Sequence, residues 1–208
     1  MTKTITGWLM AVAMVLACSV QAADLAPDAL AKSVSDEVIA LIKADKDLQN
    51  GNTQKIMQLV EAKVLPHFNF NRMTQLAMGR NWRQASPEQQ KTLVTEFSSL
   101  LVRTYTTAFT QYKEQTITFR QLKLAPTDTD VIVKSQINQP GGQPVAVDYS
   151  MEKTDKGWKV YDVKIEGISL VENYRNTFNT EVQKGGVDGL IKTLGQKNST
   201  AAPSQAKK

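Results

Sequence analysis

The sequence predicts an α+β domain, because helical periods fill its first half, strand alternation fills residues 115–166, and helical periods then return. The connections between the alternating segments are of hairpin length, which makes the sheet antiparallel: a curled meander of four strands packed by helices. Every second strand residue is apolar, so one face of the sheet is written for an apolar layer.

The first 22 residues are an address rather than part of that domain. A polar start with one cation, Lys3, leads into the apolar run Trp8–Ala17, and Val20-Gln21-Ala22 fits a small-x-small cleavage signal. This is the layout of a secretory leader, and the run is too short to span a bilayer. Cleavage after Ala22 would leave 186 of the 208 residues. Val15-Leu16-Ala17-Cys18 loosely matches a lipoprotein box, but Leu16 stands where such boxes prefer a small residue. Cys18 is then lost with the leader, and the mature chain has neither disulfide nor thiol chemistry.

From Pro27 to Ala44, Leu30, Val34, Val38, Leu41 and Ile42 recur at helical spacing. Asn50-Gly51-Asn52 breaks the chain, and a second helix from Thr53 to Leu65 carries Ile56, Leu59, Val60 and Val64 on one side until Pro66 stops it. Phe68 and Phe70, followed by Met73, Leu76 and Ala77, predict a short helix with aromatic residues at its entrance. Ser86, Pro87 and Gln89 then supply an N-cap, a first-turn proline and a capping box. They open a long helix with the stripe Leu93, Phe97, Leu100, Leu101, Tyr105, Ala108, Phe109 and Tyr112.

The period changes to two near Gln115. Ile117 and Phe119 are out of phase with Leu122 and Leu124, so a bulge is expected near Gln121. Val131, Val133, Ser135 and Ile137 form a second strand; after Pro140-Gly141-Gly142, Val145, Val147, Tyr149 and Met151 form a third. Asp155-Lys156-Gly157 turns the chain into a fourth, Trp158 to Glu166, which places Tyr161, Val163 and Ile165 on one face. Beyond Gly167, Val171, Tyr174, Phe178 and Val182 mark a helix, and Val187, Leu190, Ile191 and Leu194 a shorter last one. The single domain is expected over residues 23–194, with a disordered polar tail at 195–208.

The chemistry on offer is thin. His67 is the only histidine, and there is no mature cysteine, so thiol catalysis and a usual zinc site are excluded. No nucleophile elbow, Walker loop or dinucleotide fingerprint occurs, and no cofactor is expected. Asp148 and Asp162 fall on strand positions that ordinarily face water. The mature charge of 24 basic against 20 acidic side chains, once Lys3 is removed, is dispersed, unlike a nucleic-acid surface.

The positive signal is apolar: Phe97, Leu101, Tyr105 and Phe109 on the long helix would meet Val131, Val133, Val145, Val147, Tyr149 and Met151 on the sheet. Such a stripe forms a packed core far more often than a ligand pocket. Three functions stay open on pattern alone: a carrier with an apolar pocket, an enzyme using Asp148, Asp162 or Tyr105, and a ligand-free interaction module.

Three stretches add a resemblance. They are VLPHFNFNRMTQLAMGRNWRQASPEQQ (Val64–Gln90), with its G-x-x-W-x-x-A-S-P step, WKVYDVKIEGISLVENYRNTF (Trp158–Phe178) and GGVDGLIKTL (Gly185–Leu194). In this order, from about Asn52 to Gln196, the chain resembles the MlaC-like periplasmic phospholipid carriers, also called toluene-tolerance auxiliary proteins. The resemblance implies an opened cone similar to the nuclear-transport-factor-like fold, with an interior that receives acyl tails; the lining residues named above are read from periodicity alone. It implies no enzymatic activity. It also implies a periplasmic shuttle between an outer-membrane lipoprotein–porin complex and the lipid-binding subunit of an inner-membrane ABC transporter. That traffic maintains outer-membrane lipid asymmetry.

Overall fold

A computed structural model describes residues 25–110 and 114–200, without the side chains of 107–110 and 200. The leader expected over 1–22 lies outside the described residues. The helices are α1 (Pro27–Ala44), α2 (Lys46–Gln49), α3 (Thr53–Lys63), α4 (Phe70–Met78), α5 (Pro87–Thr110) and α6 (Leu170–Thr200). Short 3-10 turns flank α4 at Leu65–His67 and Gly79–Gln84. The strands are β1 (Thr116–Phe119), β2 (Asp130–Asn138), β3 (Val145–Thr154), β4 (Gly157–Ile165) and β5 (Ile168–Ser169). Among the described residues no helix is long and apolar enough to cross a membrane.

The caps explain where the helices begin. At α5 the box closes in both directions: Gln89 N–H donates to Ser86 Oγ at 3.2 Å, and Ser86 N–H donates to Gln89 Oε1 at 2.9 Å. Asp45 ends α1 and starts α2, its Oδ1 accepting from the Asp47 and Leu48 amides. α6 is two helices joined at Gly186, whose φ of 66° and ψ of −170° suit glycine. Its second part runs on to Thr200, through the first six residues of the expected tail, whose remaining residues lie outside those described. Asn198 Nδ2 secures this last turn by donating to Glu96 O and Oε2 at 2.9 and 2.7 Å.

The sheet is an antiparallel meander in the order β1-β2-β3-β4-β5, five strands rather than four. The additional strand is the two-residue β5, too short to leave a periodic trace. Glu166 and Gly167, at φ 50° and 80°, make the tight turn into it. β4's remaining free edge is taken by Phe68 and Asn69: the Asn69 amide donates to Val160 O at 2.8 Å.

Two corrections concern bulges. None occurs near Gln121, because β1 stops at Phe119 and residues 120–129 lie outside any strand. There Asp28 Oδ2 accepts from the Leu122 amide at 3.0 Å, and Leu124 is exposed. The register shift lies instead in β4. Ser150 pairs with Asp162 but Met151 with Val160, which leaves Tyr161 as the extra residue. Trp158 and Val160 therefore share the apolar face with Val163 and Ile165, and Tyr161 turns away from it to pack on the helices.

Three apolar clusters fill the molecule. Parts of α4, α5 and α6 form one, around Phe97, Phe178, Met73 and Leu194. The sheet face forms a second, with Leu30 and Ala31 of α1 laid against it. The third joins α1, α2 and α3 through Val38, Ile42, Leu48, Ile56 and Val60. Helices also reach the sheet's opposite face. There Arg72 of α4 bonds Glu152 at 2.6 Å and Asp130 at 2.8 Å, with its guanidinium 3.6 Å from the centre of the Tyr161 ring.

Candidate functional site

The apolar face is assembled by cross-strand register. Val131 is opposite Met151, Val133 opposite Tyr149, and Ile137 opposite Val145; across the next ladder Val147 meets Ile165 and Tyr149 meets Val163. Of the side chains expected to form the site, the structure brings Val131, Val133, Val145, Val147, Tyr149 and Met151 together in this cluster. It does not bring the α5 residues to them. Phe97 and Leu101 are buried in the all-helical cluster, with the Phe97 ring edge-on to Tyr174 at 5.0 Å and to Phe178 at 4.9 Å. Tyr105 sits half-buried at that cluster's margin, its phenol pKa pushed up to about 12 by burial and then by nearby Tyr174. Phe109 lies outside the described side chains. The expected meeting with the sheet face is thus corrected for Phe97, Leu101 and Tyr105, which pack with α4 and α6 instead.

The cover of the sheet face is uneven. Val133, Val147 and Met151 are almost wholly enclosed, whereas Phe119, Val131, Ile137, Val145, Tyr149 and Ile165 remain only partly buried. Interiors ordinarily close-pack, so a row of half-covered Val, Ile and aromatic side chains at one sheet face is surface that the chain's own helices leave available. Polar demand on it is small. Ser135 donates its hydroxyl to Val147 O at 2.8 Å. Burial pushes the Tyr149 phenol up, a hydrogen bond with Ser135 opposing it, so the ring stays neutral at physiological pH. Phe119 stacks beside it at 6.4 Å.

The sequence reading missed Phe68, Leu30, Ala31, Leu122 and Leu170, which border the same face. Phe68 touches both the helical and the sheet cluster and stacks on Phe70 at 5.7 Å. Its aromatic pair was the available signal; the contact itself depends on the unpaired β4 edge.

The ionisable candidates have other employment. Asp162 does not face water. It is 7% exposed, accepts from Ser169 Oγ at 2.6 Å and from the Val171 amide at 3.1 Å, and so holds the start of α6. Asp162→Ala should therefore cost about 1–3 kcal/mol of stability. Urea unfolding would measure this, with Asp162→Asn losing less because its Oδ1 can still accept. Asp148 borders a shallow hollow of about 200 Å³ with Arg120, Lys134, Gln136 and Ala146. A second hollow, about 270 Å³, lies among Asn71, Pro87, Gln90, Lys91, Val94 and Thr95. Both have charged or amide rims, so neither can shield a hydrocarbon chain. Burial, followed by the Lys159 charge, lowers the pKa of His67 on its 3-10 turn. Among the described residues no group of three or more His, Cys, Asp or Glu could hold a metal ion.

The site is thus an uncharged apolar sheet face, half-covered by its helices, in an α+β domain. The chain belongs to the MlaC protein family, whose model matches residues 32–196. It is similar to the intermembrane phospholipid transport system binding protein MlaC of Haemophilus influenzae, 24% identical over 180 residues, 85% of this chain and 84% of that one. It is also similar to the toluene tolerance protein ttg2D of Pseudomonas putida, 25% identical over 169 residues, 81% of this chain and 78% of that one. The solved phospholipid-binding protein from Ralstonia solanacearum, in complex with a phospholipid, is 47% identical with a TM-score of 0.77. That match covers 83% of this chain and 96% of the other.

Proposed function

We propose that this chain is a periplasmic phospholipid carrier, with no catalytic role, that holds acyl tails against the apolar sheet face. The observation that carries the reading is the half-covered row Phe119, Val131, Ile137, Val145, Tyr149 and Ile165 along one uncharged sheet face. Support comes from the Ralstonia relative, nearly half identical and solved with a phospholipid. Val133, Val147 and Met151 form the floor of the pocket. Phe97, Leu101, Tyr105 and Phe109 act from behind, as the helical wall that keeps the pocket's shape. Curling of the sheet into an opened cone would give the tails depth.

The physics suits a shuttle. Each methylene moved from water to an apolar site is worth about 0.8 kcal/mol, so two bare acyl chains would face a barrier of tens of kcal/mol. A face of branched and aromatic side chains with few directional bonds shields this area without trapping the lipid. The headgroup stays at the mouth, and selectivity for it is weak. Loading and unloading then take place at an outer-membrane lipoprotein–porin complex and at the lipid-binding subunit of an inner-membrane ABC transporter, which maintains outer-membrane asymmetry. The leader at residues 1–22 delivers the chain to that compartment.

The test is to purify the mature protein from periplasm without detergent, extract it with organic solvent and identify the extract by mass spectrometry. Near-stoichiometric diacyl phospholipid is expected. A stable protein free of lipid would remove the carrier reading.

A further inference from the structure

We propose that Arg80, Arg83 and Arg175 form a docking surface for an acidic protein partner. The G-x-x-W-x-x-A-S-P step is far from idle structurally, yet the apolar face makes no use of its two arginines. Gly79, at φ 54°, turns the chain out of α4 into the 3-10 segment Gly79–Gln84. In a 3-10 helix side chains three apart eclipse one another, about 6 Å along the axis. Arg80 and Arg83 therefore leave the protein on one line, and both are exposed. Arg175 of α6 joins them: its Nε donates to Leu76 O at 3.0 Å and lies 3.9 Å from where a Cβ on Gly79 would stand.

The mounting of this cluster is rigid. Asn81, 5% exposed, donates to Asn179 Oδ1 at 3.2 Å and accepts from Gln84 Nε2 at 3.3 Å. Gln90 Nε2 donates to Trp82 O and Ala85 O at 3.1 and 3.2 Å, while the Trp82 ring packs on the helical cluster. Arg72, by contrast, has two carboxylates, and Lys55 has Asp45 and Asp47. Among the described residues, none of the three arginines forms an ion pair.

Guanidinium groups aligned on a firmly held backbone segment fit carboxylates presented in a matching array. A bilayer surface would reward neither the alignment nor the rigidity, and it would favour apolar anchors beside the charge. Among the described residues, the large exposed apolar side chains, Leu25, Leu124, Ile132 and Ile168, all lie on other segments of the chain. Charge-led docking also suits a carrier that must arrive quickly and leave again, since it acts mainly on encounter and is screened by salt.

The experiment measures binding of the mature protein to the soluble domain of the inner-membrane lipid-binding subunit. Vesicles of phosphatidylglycerol and phosphatidylethanolamine serve as the comparison surface. The choice of that subunit rests on the carrier reading, so every variant is also extracted and its lipid content measured. Arg80→Glu with Arg83→Glu should weaken subunit binding about tenfold or more, with wild-type binding falling as salt rises. Vesicle binding and lipid content should hardly change. Arg80→Lys with Arg83→Lys should be intermediate, keeping the charge but losing the fork. Should the reversal variant fold poorly, Arg80→Gln with Arg83→Gln carries the same test with a smaller loss. Unaltered subunit binding by these variants, or a loss confined to the vesicles, overturns the proposal. So does a wild-type protein that ignores the subunit at low salt. Absence of lipid from all preparations counts against the carrier reading instead.

Discussion

Phe97→Ala is expected to destabilise the lipid-free protein by about 3–5 kcal/mol, the cost of deleting a fully enclosed aromatic side chain. Phe97 has no exposed surface, and its ring meets Tyr174 and Phe178 edge-on, so truncation removes two aromatic contacts as well as buried area. The neighbours cannot close the gap easily, because they come from three separate helices that are each fixed elsewhere. α5 is capped at Ser86, α6 is held at Asp162, and Arg72 of α4 is bound to two carboxylates. Urea unfolding of delipidated protein measures the loss. If Phe97 lined the pocket instead, truncation would leave lipid-free stability almost unaltered and reduce the bound lipid.

That experiment also marks where the sequence stopped being informative. Periodicity identifies which side chains share a face, and it located α1, α5 and strands β2, β3 and β4 well. It does not say which element will cover that face. The α5 stripe and the sheet face are both apolar, so pattern alone suggests that they meet; the structure gives Phe97, Leu101 and Tyr105 to α4 and α6 and lays Leu30 and Ala31 of α1 on the sheet. The β4 bulge was hidden for a related reason. Strict alternation puts Tyr161 with Val163, and only the ladder to β3 reveals that one residue is unmatched. Asp162 was read as solvent-facing because a capping bond to a helix eight residues further on has no local signature. The candidate site is half legible: the β2 and β3 side chains follow from alternation, while Phe68 and Leu170 arrive through tertiary contacts.

Val145→Asp should abolish lipid retention at neutral pH while leaving the fold intact. Val145 belongs to the apolar face opposite Ile137 but is only partly buried, so an added carboxylate in the empty protein can remain hydrated. Acyl chains seated against that face would have to strip its water, and burying an unpaired ionised carboxylate costs several kcal/mol. At pH 7 the bound phospholipid should fall to about a tenth or less of the wild-type amount, since each 1.4 kcal/mol is tenfold in affinity. The pH dependence has a definite sign. Desolvation raises the carboxyl pKa in the loaded protein above its ordinary value of about 4, so loading takes up a proton. Affinity lost at pH 7 must therefore return as pH falls through the loaded-state pKa, and be restored most fully near the free value. Phospholipid-to-protein ratios at pH 7 and pH 4.5, each against wild type at the same pH, measure both effects. Val145→Thr, uncharged and of similar volume, should keep most of the lipid at either pH. A Val145→Asp protein that carries wild-type lipid at pH 7 would place the tails away from this face.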